Sequence, residues 1–145
     1  MFKHLLLPTD GSPSADAAVL QGLRLARSMG ARATAVHVIP QFHVLTYRVD
    51  MLKDTREEFL ADSRQRGEQC LAALAKAARE EGVPFETLLE TSDHPHDAIV
   101  AAAERLGCDL IVMASRGLHG GRLALLGSET TKVLMHGSTP VLVYR

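Results

Sequence analysis

The segment Leu110-Ile-Val-Met-Ala-Ser-Arg-Gly117, followed by nine residues and then Gly127-Ser128, decides the fold of this chain. The apolar run at 110–113 is typical of a buried parallel strand, and the segment 129–136, closed by Gly137, is typical of a helix. Glycines in the connection allow backbone N–H groups to turn towards an anion. The helix N-terminus and the Ser128 hydroxyl would add donors, so the segment predicts a phosphate-binding loop.

A purely structural interpretation of the same segment stays open at this point. Glycine-rich loops after strands are common in α/β proteins, and a serine such as Ser128 often serves only as a helix N-cap. A glycine-loop match is therefore a hypothesis that needs support from the rest of the chain.

Composition limits the classes of protein that the chain can belong to. Its 145 residues, of which 46% are hydrophobic, suffice for one domain over residues 1–145 with a full core. Sixteen basic residues against seventeen acidic ones give a net charge of -1, without a basic block, so nucleic acid is not an expected partner. The apolar runs are too short for a signal peptide or a membrane span, and we expect a cytoplasmic protein that does not contact membranes.

Strand and helix patterns alternate along the whole chain. Gly30, Gly82, Gly107 and Gly137 each end a helical pattern and precede a strand. The resulting βαβαβαβαβ order predicts an α/β fold with a mostly parallel sheet covered by helices on both faces. The predicted strands are 3–7, 33–39, 85–90, 109–114 and 140–144. The predicted helices begin at Ser12-Pro13-Ser14, near Lys53, at Asp93-His94-Pro95 and at Glu129.

Two other segments and the cysteines carry weaker signals. The first half of the long second helix, from Lys53 to Glu68, is heavily charged, which predicts a solvated face that projects from the body or lies along it. The connection from Gln41 to Met51 is long enough for a lid or a partner contact. Cys70 and Cys108 are spaced neither as a redox motif nor as a metal site, and we expect free, buried thiols.

The end of the first strand provides a candidate ligand site. In an open parallel sheet, ligands lie beyond the carboxyl ends of the strands where the strand order reverses. The first strand ends in Pro8-Thr9-Asp10-Gly11. If the first and fourth strands are neighbours, Asp10 can contact a ribose hydroxyl or a hydrated cation opposite the glycine loop. The backbone at Val38, at the end of the second strand, can then contact a purine.

The chain resembles the universal stress proteins over essentially its full length. The resemblance rests on the opening Leu5-Leu-Leu-Pro-Thr-Asp-Gly-Ser12, on Asp109-Leu-Ile-Val-Met-Ala-Ser-Arg-Gly117 and on the closing Pro140-Val-Leu-Val-Tyr144. The nucleotide-binding branch of that family resembles Gly-x2-Gly-x9-Gly-(Ser/Thr). Gly117, Gly127 and Ser128 match this pattern, whereas Ala114 replaces its first glycine. One added methyl is tolerable where the backbone keeps a strand-like φ, and we expect this at a strand end.

The resemblance implies a Rossmann-like fold of the adenine nucleotide alpha hydrolase type, with a five-stranded parallel sheet in the order 3-2-1-4-5. It also implies a homodimer through the last strand and a role in the stress response. ATP with Mg²⁺ is the implied ligand, and Asp10 would contact the Mg²⁺ ion that the nucleotide carries. Together, the strand ends and the resemblance give these candidate nucleotide-binding residues: Pro8, Thr9, Asp10, Val38, Met113, Ala114, Ser115, Arg116, Gly117, Gly127, Ser128, Glu129 and Thr130.

Two classes of function remain open. In the first, bound ATP changes the affinity for a protein partner, with slow hydrolysis or none, because the loop carries Arg116 and Arg122 but no lysine. In the second, the site is empty and the protein is a dimeric interaction module that uses the charged second helix and the segment 42–48. An electron-transfer flavodoxin-like domain fits poorly, since the aromatic residues that would stack on a flavin are not evident.

The histidines raise the question of a metal site, particularly His94-x-His96 and His119. His94 and His96 flank a proline at a helix start, where a cap or an exposed imidazole is the usual role. No cysteine or carboxylate set converges with them in the sequence. We therefore expect no metal at these histidines.

Overall fold

A computed structural model of the chain describes residues 1–41, 49–116 and 126–145, and the side chains of 49–54 lie outside that description. Within these ranges, strands and helices alternate as the sequence predicts. The strands are β1 (His4–Thr9), β2 (Arg32–Ile39), β3 (Phe85–Thr91), β4 (Leu110–Ala114) and β5 (Val141–Tyr144). The helices are α1 (Pro13–Met29), α2 (Val49–Glu81), α3 (Pro95–Leu106) and α4 (Ser128–His136).

The strands form one sheet in the order β3-β2-β1-β4-β5, and every neighbouring pair is parallel. The expected order 3-2-1-4-5 is thus confirmed. β1 pairs with β2 from His4↔Arg32 to Thr9↔His37, and with β4 at Leu5↔Leu110 and Leu6↔Ile111. The carboxyl ends of β1 and β4 therefore lie side by side, where the strand order reverses.

Side chains of β1 alternate between two apolar cores, one on each face of the sheet. Leu5 and Leu7 pack with apolar residues of α1 and α2, whereas Leu6 packs with Ile99 of α3 and Val133 of α4. The three leucines are completely buried. A strand that is apolar on both faces must be covered on both faces, and this accounts for the run Leu-Leu-Leu at the start of the chain.

The glycines that end the helices do so in two ways. Gly30, Gly82 and Gly107 have φ angles of 64°, 71° and 68°, in the left-handed region that favours glycine. Gly137 instead has an extended backbone with φ at -94°. A Cβ at Gly137 would lie 3.0 Å from the carbonyl oxygen of Val133, so the close approach of backbone explains this glycine.

The structure corrects several predicted boundaries. α2 begins at Val49 rather than near Lys53, because no glycine or proline interrupts the chain there. The predicted connection at 41–51 is accordingly shorter, and its residues 42–48 lie outside the described residues. The α2 side chains at 55–58 are exposed, whereas Ser63 and Gly67 are buried, so the helix lies along the body from there on. Strand limits differ from the predicted ones by at most two residues.

Two further expectations can be compared with the described residues. Both cysteines are free; Cys108 is buried, as predicted, whereas Cys70 is only partly buried. Burial raises the pKa of the Cys108 thiol to about 11. In the part of the chain that the structure describes, no helix combines the length and the apolar character that a membrane span requires.

Candidate functional site

The turn between β1 and α1 is held by hydrogen bonds within its own residues. Oδ1 of Asp10 accepts from the backbone N–H of Ser12 at 2.9 Å, and Oγ1 of Thr9 accepts from the N–H of Gly11 at 3.1 Å. Gly11 has a φ of 81°, which explains the glycine at this position. Ser12 then caps α1, since its Oγ accepts from the N–H of Ala15 at 3.2 Å. The exposed Asp10 side chain is thereby fixed at the carboxyl end of the sheet.

The N-terminus of α4 is attached directly to the end of β4. The Thr130 hydroxyl donates to the carbonyl oxygen of Ala114 at 2.8 Å, and the N–H of Gly127 donates to the carbonyl of Ser115. Gly127 is the N-cap and Ser128 the first helical residue, with its side chain exposed. The interpretation of Ser128 as the N-cap is therefore wrong, because the cap position needs only the extended backbone that Gly127 adopts here. The exposed Ser128 hydroxyl remains available at the helix N-terminus.

A direct hydrogen bond joins the two halves of the candidate site. The Ser14 hydroxyl, in the first turn of α1, donates to the carbonyl oxygen of Arg116 at 3.1 Å. The start of α1 and the segment after β4 are therefore adjacent at the carboxyl end of the sheet, as expected for the neighbouring strands β1 and β4. The Arg116 side chain is exposed beside this contact.

Ala114 has the backbone geometry that tolerates an alanine. It is the last residue of β4 and pairs with Tyr144 of β5. In residues 1–41, 49–116 and 126–145, only glycines have a positive φ, so the Ala114 backbone does not require a glycine. The expectation of a strand-like φ at this departure from the family pattern is confirmed.

The remaining strand-end residues occupy different depths. Pro8, Met113 and Ser115 are buried. β2 continues beyond Thr9↔His37, its last pair with β1, and half-buried Val38 extends past the end of β1. The Val38 backbone thus lies at the same edge of the sheet as Asp10.

The structure places the Glu129 carboxylate against the start of α3. Its Oε2 accepts from the backbone N–H of His96 at 2.9 Å, while Nζ of Lys132 lies 3.4 Å from Oε1. The His96 side chain is almost fully enclosed, so the expectation of a cap or an exposed imidazole is wrong for this residue. His94 is exposed at the N-cap of α3 and makes no side-chain capping bond. The close packing of α3 on α4 encloses His96, and spacing along the sequence does not reveal that contact.

Sequence reasoning also missed groups beneath the β1–α1 turn. Thr9 Oγ1 donates to Oδ1 of Asp16 at 3.1 Å, a bond from the end of β1 to the first turn of α1. His37 lies on the α2 face of β2, where a Cβ on Gly67 would approach its ring at 2.9 Å. Burial lowers the pKa of His37 below its ordinary value of 6.5. The alternation of β2 places His37 on that face, but only the packed structure shows that glycine makes room for the ring.

Part of the predicted site cannot be compared with the structure. Gly117, Gly120, Gly121, His119 and Arg122 lie outside the described residues. In the described part of the chain, no group of three His, Cys, Asp or Glu side chains is arranged to hold a metal ion. The exposed Asp10 carboxylate fits an Mg²⁺ ion carried by a nucleotide, because Mg²⁺ is usually bound through one or two carboxylates plus substrate phosphates.

Known proteins resemble this chain over its full length. A universal stress protein from Thermus aquaticus is 34% identical over 148 residues, covering 100% of both chains. The universal stress protein YxiE of Bacillus subtilis is 30% identical over 149 residues, again covering 100% of both. Among solved structures, MJ0577 of Methanocaldococcus jannaschii has a TM-score of 0.84 at 26% identity, covering 99% of this chain and 95% of its own.

Two more distant structures share the fold and contain nucleotides. A universal stress protein in complex with cAMP has a TM-score of 0.73 at 23% identity, covering 99% of this chain and 97% of its own. The universal stress protein of Archaeoglobus fulgidus in complex with dAMP has a TM-score of 0.67 at 19% identity, covering 100% and 98%. At these identities the likeness shows the fold alone. The model of the universal stress protein family matches residues 1–145, and the chain belongs to that family.

Proposed function

We propose that this protein binds an adenine nucleotide, ATP with Mg²⁺, in the crevice between the β1–α1 turn and the N-terminus of α4. Occupancy of the crevice would change the affinity for a protein partner in a cytoplasmic stress response. The observation that carries the proposal is that the α4 N-terminus is fixed at the end of β4, while the segment after β4 is joined to the first turn of α1. The Thr130 hydroxyl attaches α4 to β4, and the Ser14 hydroxyl attaches α1 to the segment after β4.

Each end of the crevice suits a different part of the nucleotide. The N–H groups at the start of α4 and the exposed Ser128 hydroxyl suit the phosphates, because a helix N-terminus favours anions. Asp10 suits a ribose hydroxyl or the Mg²⁺ ion, and the Val38 backbone suits the purine edge. That relatives of the same fold hold cAMP and dAMP supports an adenine nucleotide as the ligand class.

Hydrolysis of the bound nucleotide would be slow or absent. Phosphoryl transfer needs metal ligands, a group that positions the nucleophile and usually a fixed cation on the phosphates. The segment 110–131 contains no lysine, and Asp10 is the carboxylate that we assign to the metal. We expect turnover well below the ordinary kinase range of about 1 to 100 per second.

A charge at the α4 N-terminus tests this proposal without damaging the fold. In Ser128→Asp, the added carboxylate favours the helix dipole but repels phosphates, so ATP affinity should fall while thermal stability is kept or rises. The matched control is Ser138→Asp, an exposed serine beyond the other end of α4. Calorimetric titration with ATP and Mg²⁺ should show weaker binding in Ser128→Asp alone. Equal affinity in both variants would place the phosphates elsewhere.

We also propose that the protein forms a homodimer through β5. The dimer is compatible with both functions, the nucleotide-dependent switch and the nucleotide-free interaction module. β5 is the last strand on its side of the sheet, and Leu142 is 41% exposed on it. Met135 in α4 is 73% exposed. An apolar edge strand invites pairing with the same strand of a second copy, which would cover this surface.

A further inference from the structure

The Glu129 side chain extends from α4 to the start of α3. Glu129 is the second residue of α4, and its Oε2 accepts from the backbone N–H of His96, the second residue of α3, at 2.9 Å. The first N–H groups of a helix have no partner within the helix itself. At α3, Pro95 has no N–H, and the N–H groups of residues 97 and 98 donate to the carbonyl oxygen of His94. Glu129 therefore satisfies the N–H that remains in this turn.

The same carboxylate does not cap its own helix. The N-cap of α4 is Gly127, and no side chain in the described part of the chain caps this helix. Because Glu129 bonds to α3 instead, the N–H groups at the start of α4 are left to the proposed phosphates. The negative charge nevertheless stays in the first turn of α4, where it acts on any anion bound at the helix N-terminus.

A lysine lies beside this carboxylate and offsets part of its charge. Nζ of Lys132 is 3.4 Å from Oε1 of Glu129, and the two side chains are 46% and 37% exposed. Solvent screens an ion pair that is exposed to this degree, so the attraction between the two side chains is weak. A phosphate at the start of α4 would therefore still be repelled by Glu129.

We infer that Glu129 is a specificity-determining residue of the proposed nucleotide site, which disfavours a nucleotide in proportion to the charge on its phosphates. The carboxylate stabilises the starts of α3 and α4, but it repels an anion bound at the start of α4. ATP in its Mg²⁺ complex carries less charge than bare ATP, so the site prefers the complex beyond any contact that the metal itself makes. This inference rests on the proposed nucleotide site and names the charge state of the ligand that the site takes.

The test is the affinity for ATP, measured by calorimetry with Mg²⁺ and again with EDTA, in the wild type and in Glu129→Gln. The amide oxygen can still accept the His96 N–H, so this variant removes the charge and keeps the contact. Bare ATP should bind about threefold more tightly to the variant, the size of a charge effect at a helix N-terminus. The gain should be smaller with Mg²⁺, which cancels part of the phosphate charge. The melting temperature of the unliganded variant should fall, because both helices lose a favourable charge.

Two further variants serve as controls. Glu104→Gln removes an exposed carboxylate from the last turn of α3, at the other end of that helix, and should bind both forms of ATP as the wild type does. Glu129→Asp keeps the charge on a shorter side chain and should bind ATP no more tightly than the wild type. Equal gains in Glu129→Asp and Glu129→Gln would show that the lost contact with α3 causes the gain, and this would overturn the inference.

The outcomes separate this inference from the proposed function. If Glu129→Gln binds ATP no more tightly than the wild type, or gains equally with Mg²⁺ and with EDTA, the role of Glu129 is overturned and the nucleotide site stays intact. Absence of ATP binding by the wild type under both conditions would overturn the proposed function, and this inference with it.

If Glu129→Gln does not fold, Lys132→Gln replaces it, because this change leaves more of the Glu129 charge unopposed. Lys132→Gln should lose more affinity for bare ATP than for ATP with Mg²⁺. Affinities like those of the wild type for both forms would overturn the inference.

Discussion

The hydroxyl of Thr130 donates a 2.8 Å hydrogen bond to the carbonyl oxygen of Ala114, and this bond ties the first turn of α4 to the last residue of β4. Thr130 is 4% exposed, so water cannot replace the hydroxyl if it is lost. The bond thus contributes to stability and also fixes the helix N-terminus that is proposed to bind phosphates.

Thr130→Val should lower the free energy of unfolding by about 1 to 3 kcal/mol, because it leaves a buried carbonyl without its partner at nearly constant volume. Urea unfolding measures this loss. Thr130→Ser keeps the hydroxyl and should retain most of the stability. If Thr130→Val is as stable as Thr130→Ser, the hydrogen bond does not anchor α4.

Gly22→Ala should destabilise the protein although it lies inside α1, where alanine is normally the better residue by about 1 kcal/mol. A Cβ at this position would lie 2.5 Å from Cδ2 of Leu7, which is completely buried in β1. Overpacking of this kind costs about 1 to 3 kcal/mol. Leu7→Val shortens the side chain that this Cβ would meet, so the double variant should lose less stability than the sum of the losses in the two single variants. A loss equal to that sum would argue against the close approach.

Stability should fall as the pH is lowered through 6.5, the ordinary pKa of histidine. Burial, with a smaller effect of Arg32, lowers the pKa of His4, whose Nε2 lies 2.8 Å from Oγ1 of the buried Thr34. Because the folded pKa lies below the unfolded one, the unfolded state binds more protons in this window. Stability is therefore present above pH 6.5 and is lost towards the folded pKa.

Denaturant unfolding at a series of pH values tests this prediction. His4→Gln should show a shallower loss on acidification than the wild type. His94→Gln removes an exposed imidazole and serves as the control, with a loss close to that of the wild type. An unchanged slope in His4→Gln would show that other groups cause the acid sensitivity.

Leu142→Lys should convert the proposed homodimer into monomers, because the lysine charge would be buried against the second copy. Leu142 is 41% exposed, whereas Val143 is half-buried and pairs in register with the core residue Met113, so Leu142 is the position to change. Leu20→Lys is the matched control, since Leu20 in α1 is 39% exposed. Light scattering that finds the wild type monomeric, or that finds both variants equally dissociated, would contradict a dimer through β5.

The sequence predicts the sheet well, including the neighbouring carboxyl ends of β1 and β4, because apolar strands and helix-ending glycines are local signals. Leu5 to Leu7 and Leu110 to Met113 mark buried parallel strands without any knowledge of contacts. The environment of His96 depends on the packing of α3 on α4, which is a non-local contact. The same holds for the bond from Ser14 to Arg116, whose partners are separated by 102 residues. Such contacts carry no signature in residue spacing.

The most direct test of the account is calorimetric titration of the purified protein with ATP and Mg²⁺, together with a melting experiment. We predict heat of binding to one site per chain. ATP at about a hundred times its dissociation constant should stabilise the fold by about 2.7 kcal/mol, which shifts the melting temperature measurably. No heat and no shift with ATP at the millimolar level would contradict the nucleotide site and favour the nucleotide-free interaction module.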